Sequence, residues 1–296
     1  MRYVDGATRR ICVSLGRRRK SAFRKSIDAH SYSSSLPSQD KSAPFHVVSF
    51  SGTRDFEEQF LSILSLLCWV GRPLSWTIYS DGTHSSQDKE GFERLGEFVT
   101  LKNWDANISR ISDANSFLRQ YASHATQHAM GKRICAYSTH SVQESTIFMD
   151  SDVLFYGAAR ERLLAALQQH DLWFLPDIRW GCLDSRYMNS REPELYQLNG
   201  GFFMIGRQFS WQPVIDALRD FSPDFEYFSD QTAYHIGFSK QNAWPLDPRS
   251  FIVDTSDQFD FGTPFRPTSI ALRHYTGPVR HKLWQLGWRW HLPSPR

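Results

Sequence analysis

The feature that most limits what this chain can fold into is the order of its apolar runs after residue 44. "FHVVSFSG" (45–52) reads as a strand stopped by Gly52, and "RDFEEQFLSILSLLCWVG" (54–71) spaces Phe56, Phe60, Ile63 and Leu67 at helical intervals before Gly71 and Pro73 end it. "SWTIYSDG" (75–82) is a second strand, "DKEGFERLG" (88–96) a short helix and "EFVTLKNW" (97–104) a third strand. A repeating strand and helix order predicts an α/β fold with a mostly parallel central sheet flanked by helices. Ligands of such sheets bind outside the carboxyl ends of the strands, where the loops begin.

Further along, "STIFMDSDVLFYG" (145–157) is apolar throughout, as a strand covered on both faces should be, except for two aspartates. If Asp150 and Asp152 lie on one strand, alternation points both to the same side, with Cα atoms about 6.6 Å apart. Two like charges at a buried sheet end repel and lose hydration, so they call for a cation. A divalent ion with oxygen ligands, Mg²⁺ or Mn²⁺, keeps positions free for a substrate diphosphate. An Asp-x-Asp triplet arises about once by chance in a chain of this length, and only its place at a strand end gives it weight. The alternative is a capped strand end whose carboxylates bond to loop amides.

The 296 residues carry a net charge of +3, unevenly spread. Residues 1–44 hold ten Lys or Arg against three Asp, a local +7, which leaves −4 for the rest. With "RRRK" at 17–20 and the Ser-rich "SYSSSLPSQDKSAP" behind it, this stretch reads as a basic flexible arm, either solvated or touching phosphates or an anionic membrane. Residues 45–296 then form a single domain, whose negative charge argues against nucleic-acid binding by the domain itself. No secretory signal or 18-residue apolar run is present, and Cys12, Cys68, Cys135 and Cys182 lack metal or disulfide spacing; both point to a cytoplasmic protein.

Four stretches in order resemble the GT-A fold glycosyltransferases, most closely the retaining, nucleotide-sugar-dependent family 8: "FMDSDVLF", "LNGGFFMIG" (198–206), "SDQTAYHI" (229–236) and "HYTGPVRHKLW" (274–284). The resemblance spans about residues 46–284. It implies an enzyme that moves a sugar from a nucleotide diphosphate donor, a UDP-sugar, to a saccharide or lipid-linked acceptor, with Mn²⁺ (or Mg²⁺) as cofactor. A catalytically inactive nucleotide-sugar-binding module with the same fold is the alternative.

Residue by residue, the resemblance makes Asp150, Asp152 and His274 metal ligands, with Asp150 also near the donor. An imidazole in the shell tilts the preference towards Mn²⁺. Asn199, Asp230 and Gln231 become the catalytic set around the sugar, although "SDQT" is equally a helix cap. Gly200 and Gly201 let the backbone approach the donor. Lys132 and Arg133 in "GKRICAYS" match the basic position presented to the donor, and Asp55 in "GTRDFEEQ" matches one near the nucleoside. The last motif departs from the family's His-x-x-Gly-x-x-Lys-Pro-Trp. Three residues past Gly277 stands Arg280, while Lys282 keeps the lysine-x-tryptophan spacing with Trp284, so either cation could meet the diphosphate.

Other features read blandly. His124 and His128, four apart on a helix expected over 117–141, are surface residues without a third ligand. Trp180 and Tyr187, in the polar stretch 176–198, could stack on an acceptor sugar or belong to an ordered loop. Asp254, Asp257 and Asp260 lack the spacing of a calcium loop. Trp284, Trp288 and Trp290, among cations, either pack on the domain or make peripheral contact with the inner face of a membrane.

Overall fold

The computed structural model describes residues 6–29, 42–108, 116–124, 128–142, 144–177, 182–189, 196–221, 225–253, 269–277, 279–285, 288 and 291. Its main sheet has seven strands, β1 (Ser42–Ser51), β2 (Arg72–Ser80), β3 (Val99–Asn103), β4 (Thr146–Asp150), β6 (Leu172–Asp177), β7 (Gln197–Ile205) and β8 (Trp244–Pro245), in the order β3-β2-β1-β4-β7-β6-β8. A second sheet of three strands joins β5 (Val153–Phe155), β10 (Leu272–His274) and β9 (Phe251–Val253), in that order.

The first half follows the expected strand and helix alternation, with β2, β1 and β4 parallel neighbours and β3 parallel to β2. The helix Phe56–Trp69 stops as its sequence requires, since Gly71 takes a φ of 121° that residues with a Cβ rarely adopt. A capping box closes the start of the helix Ser86–Glu93: the Ser85 side chain accepts from the Asp88 amide while the Asp88 carboxylate accepts from the Ser85 amide. The sheet is mostly parallel, but β7 runs antiparallel to both β4 and β6.

Alternation builds a core on each face of the sheet. Val47, Ile147 and Met149 pack on one side with Phe56, Phe60 and Ile63, whereas Val48 and Phe148 pack on the other with Ile134, Tyr137, Phe203 and Tyr234. Both faces are therefore covered by helices, and the charged side chains of the sheet's centre gather at the strand ends.

The structure corrects or decides three expectations. Residues 1–44 are not a flexible arm throughout: Gly6–Ala29 is a helix of 24 residues. Phe23 and Ile27 on it are buried, and Phe23 packs against Phe60 and Trp284 at centroid separations of 6.2 and 5.3 Å. The basic residues mislead because the helix turns part of its charge inward. Lys20 bonds Glu58, Arg24 pairs with Asp88 at 2.7 Å and Arg19 donates to the Gln285 carbonyl. Ile27→Val is expected to lower unfolding stability by about 1 kcal/mol in urea titrations. A solvated arm would give no change.

Second, of the two readings of the C-terminal tryptophans, Trp284 and Trp288 follow packing on the domain. Trp284 is buried, its Nε1 donates to Glu58 Oε1 at 2.8 Å, and Trp288 packs against the core beside Phe23. Trp290 lies outside the described residues. Among those residues, no helix is long and apolar enough to cross a membrane.

Third, the helix expected over 117–141 is two helices, Ser116–His124 and Ala129–Ser138, so His124 and His128 do not share one helix face. The His128 ring lies 5.6 Å from that of Phe225.

Candidate functional site

Strand β4 ends at Asp150, and Ser151 and Asp152 form a turn into β5, which belongs to the other sheet. The two aspartates therefore do not alternate along one strand, as the sequence suggested; they flank a turn between sheets. That turn also brings in the third residue. In β10, His274 is the register partner of Val153, and the Tyr275 amide donates to the Asp152 carbonyl at 2.9 Å. A histidine more than a hundred residues away is thus placed by backbone pairing next to the acidic pair.

Each carboxylate uses its two oxygens differently. Asp150 Oδ1 accepts from Arg133 Nη1 at 2.5 Å, and Asp152 Oδ2 accepts from Arg280 Nε at 2.8 Å. The other oxygens turn to the imidazole: His274 Nε2 lies 3.2 Å from Asp152 Oδ1 and 3.6 Å from Asp150 Oδ2. Asp152 Oδ1 is buried with no hydrogen bond among the described residues. One ligand atom from each of Asp150, Asp152 and His274 lies within 4.8 Å of the others.

The tautomer of His274 follows from its neighbour. Asn199 Oδ1 already accepts from the Gly201 amide at 3.0 Å, and the Asn199 amide nitrogen donates to Asp177 Oδ2 at 3.0 Å, so the oxygen facing His274 Nδ1 at 2.9 Å is an acceptor. Nδ1 then carries a proton, which leaves Nε2, the nitrogen that faces the two carboxylates, as the one to exchange its own proton for a cation. A second partner that fixes a ligand's tautomer in this way is the usual support of a metal-binding imidazole.

Charge supports the same reading. Among the described residues, Asp55, Asp150, Asp152 and Asp230 pair with two guanidiniums, those of Arg133 and Arg280, so these six side chains carry two surplus negative charges when all four carboxyls are ionised. Burial alone would raise the Asp152 carboxyl, but the Arg280 charge and then His274 hold it below the ordinary range. Burial would lower His274, yet the Asp152 charge carries the imidazole above its usual value. A divalent cation fits the surplus charge, the orphaned Asp152 oxygen and the mixed oxygen and nitrogen donors.

Arg133 links the acidic pair to the next helix. It is 4% exposed, and its Nε and Nη2 donate to Asp230 Oδ2 at 3.0 and 2.5 Å while Nη1 holds Asp150. Asp230 and Gln231 open the helix Ser229–Ser239; Gln231 Oε1 accepts from the Gly200 amide at 2.8 Å and Nε2 donates to the Cys182 carbonyl. The glycines of "LNGG" have packing reasons of their own. A Cβ at Gly200 would stand 3.1 Å from Arg133 Nη2, and one at Gly201 would stand 2.1 Å from His274 Cε1. Gly201→Ala is expected to displace the imidazole and weaken Mn²⁺ affinity by about tenfold to a hundredfold in calorimetric titration. Gly277→Ala is expected to leave it unchanged, since a Cβ there meets nothing within 4 Å.

Of the two C-terminal cations, Arg280 reaches the acids, with Nη1 2.9 Å from Asp55 Oδ1 in addition to its Asp152 bonds, whereas Lys282 is buried. Lys132 lies apart from the acidic centre: its Nζ donates to the Asp81 carbonyl at 2.7 Å and sits 5.8 Å from the centre of the Trp104 ring. Tyr187 is not free to stack on a sugar, being buried beside Leu183, Phe221 and the His235 ring. Trp180, Asp254, Asp257 and Asp260 lie outside the described residues.

Of the two cations expected to face the donor, Lys132 and Arg133, it is Arg133, four residues before Tyr137 on the buried face of its helix, that joins the acidic centre. One member of the site went unassigned in the sequence. Asp177, which holds Asn199, ends β6 without any motif to mark it.

No protein-family model matches the chain, and none of the curated proteins matches it. Solved structures do. The galactosyltransferase LgtC, crystallised in complex with donor and acceptor sugar analogues, is 14% identical over 83% of this chain and 100% of its own, with a TM-score of 0.50. Mouse xyloside xylosyltransferase 1, in its apo form, is 12% identical over 80% of this chain and 99% of its own, with a TM-score of 0.54. The glycosyltransferase GlyE of Streptococcus pneumoniae TIGR4, also apo, is 14% identical over 84% of this chain and 60% of its own, with a TM-score of 0.51. The chain has the fold of these GT-A glycosyltransferases, as the four motifs implied.

Proposed function

We propose that the chain is a metal-dependent glycosyltransferase of the family 8 type, which passes a sugar from a UDP-sugar to a hydroxyl of a glycan or lipid-linked acceptor with retention of configuration. The observation that carries this reading is the convergence of Asp150 Oδ2, Asp152 Oδ1 and His274 Nε2 where β4 ends, the position at which open α/β sheets bind ligands. A divalent ion held by these three atoms would supply positive charge to a diphosphate leaving group.

The other residues take roles that follow from their contacts. Asn199 positions His274 rather than the sugar, through the bond to Nδ1. Burial raises the Asp230 carboxyl and Arg133 opposes that while fixing it in place, so that it can face an anomeric carbon that gains oxocarbenium character. Gln231 holds the Gly200 backbone at the height of the donor. Arg280 offers a guanidinium to the phosphates, and its bidentate geometry compensates for the lysine that the family carries at that position. In the net reaction the C–O bond to phosphate breaks towards the nucleotide diphosphate, the acceptor oxygen bonds the anomeric carbon, and the acceptor proton is released. Tyr227, exposed just ahead of the helix that Asp230 and Gln231 open, is a side chain available to an acceptor.

Incubation with a panel of nucleotide sugars, with Mn²⁺ or with EDTA, tests the reading through released nucleotide diphosphate. Release from at least one donor, dependent on the metal, is expected, and NMR of the product's anomeric proton reports the stereochemistry. Nucleotide diphosphate binding without release from any donor would overturn the transferase and favour a binding module of the same fold.

A further inference from the structure

The helix Gly6–Ala29 has two unlike faces. Gly16, Phe23 and Ile27 are turned to the protein, together with Arg19, Lys20 and Arg24, whose charges are met by a carbonyl or by acidic side chains. The opposite face carries Arg10, Ile11, Ser14, Leu15, Arg17, Arg18, Ser21, Ala22 and Lys25, all exposed. Residues 10–27 contain no Asp or Glu, and among the described residues none of the four outer cations is in an ion pair. Between these cations, Ile11 is 61% and Leu15 43% exposed, one helical turn apart.

We infer that this outer face is a docking surface for an anionic phospholipid bilayer. A line of cations without acidic partners matches a negative surface, and two aliphatic side chains among them have a place to go only if that surface has an apolar interior. Nucleic acid would account for the charge and leave Ile11 and Leu15 in water. The membrane face thus lies on the N-terminal helix and not on Trp284 and Trp288, against which the inner side of that helix packs.

The placement bears on the site. Lys20 bonds the Arg54 carbonyl and Glu58, on either side of Asp55, and Arg19 bonds the carbonyl of Gln285, five residues past Arg280. One helix diameter, about 10 Å, separates the bilayer from these segments, so a lipid-borne acceptor would approach from this side. The docking surface itself does not depend on the transferase reading, and either can fail alone.

Flotation of the full-length chain with vesicles tests it. At 0.15 M salt the protein is expected to float with phosphatidylcholine vesicles that contain 30% phosphatidylserine and not with pure phosphatidylcholine. Each cation contributes about fivefold to such binding, so Arg17→Ala with Arg18→Ala should weaken it by roughly thirtyfold. Ile11→Ser with Leu15→Ser should weaken it severalfold while leaving any affinity for a DNA duplex as it was. All four positions are exposed, and circular dichroism with donor turnover in the absence of vesicles should match the parent chain. Equal binding to neutral vesicles, no binding to either, variants that bind like the parent, or binding to duplex DNA that vesicles fail to compete would each overturn the inference.

Discussion

Asp152→Ala is expected to lower metal-dependent release of nucleotide diphosphate by about a thousandfold, on the scale that one preorganised electrostatic partner contributes in an active site. Asp152 is the residue to choose because Arg280 holds its Oδ2, while its buried Oδ1, without a hydrogen bond among the described residues and 3.2 Å from His274 Nε2, is left for a cation. Its loss removes a proposed metal ligand and leaves Arg280 with Asp55 alone among the described residues. Asp152→Asn keeps the shape and one oxygen but drops the charge, so it should retain the fold by circular dichroism while Mn²⁺ binding by calorimetry is largely lost. Turnover that matches the parent chain in either variant would sink the proposed metal centre.

The second large effect belongs to Arg133. Arg133→Met leaves the Asp230 carboxylate, itself buried, and one oxygen of Asp150 without their shared partner. Removing one side of a buried ion pair costs about 3–5 kcal/mol, because the remaining charge stays desolvated. In a chain of this size that corresponds to a melting temperature roughly 10 °C lower by scanning calorimetry. Adding Asp230→Asn removes one orphaned charge and should restore part of the loss. If the single variant melts with the parent, the guanidinium does not hold these carboxylates together.

Much of this could be read from residues alone, and the parts that could not have a common cause. The apolar runs of β1, β2 and β4 announce themselves because both faces of the sheet are covered, and the Asp-x-Asp and "HYTG" stretches mark the three residues that converge as a candidate metal site. What the sequence hides is long-range pairing. Whether Asp152 continues β4 or turns into another sheet depends on β10, which arrives more than a hundred residues later. The N-terminal helix is hidden for the same reason: its apolar positions are sparse, and the partners that bury Phe23 are Phe60 and Trp284. Arg133 and Lys132 are neighbours of like charge, and only the packing of Tyr137 distinguishes the buried one.

The turn at Ser151 has a mechanical consequence. Asp150 closes a strand of the seven-stranded sheet, while His274 belongs to the three-stranded one and Asp152 sits in the hinge between them. Ligation of a cation by all three would rivet one sheet to the other, so occupancy and rigidity become one quantity. At a free Mn²⁺ concentration a hundred times its dissociation constant, the folded chain gains about 2.7 kcal/mol. EDTA should then make the junction between β4 and β5 the first place that a protease opens.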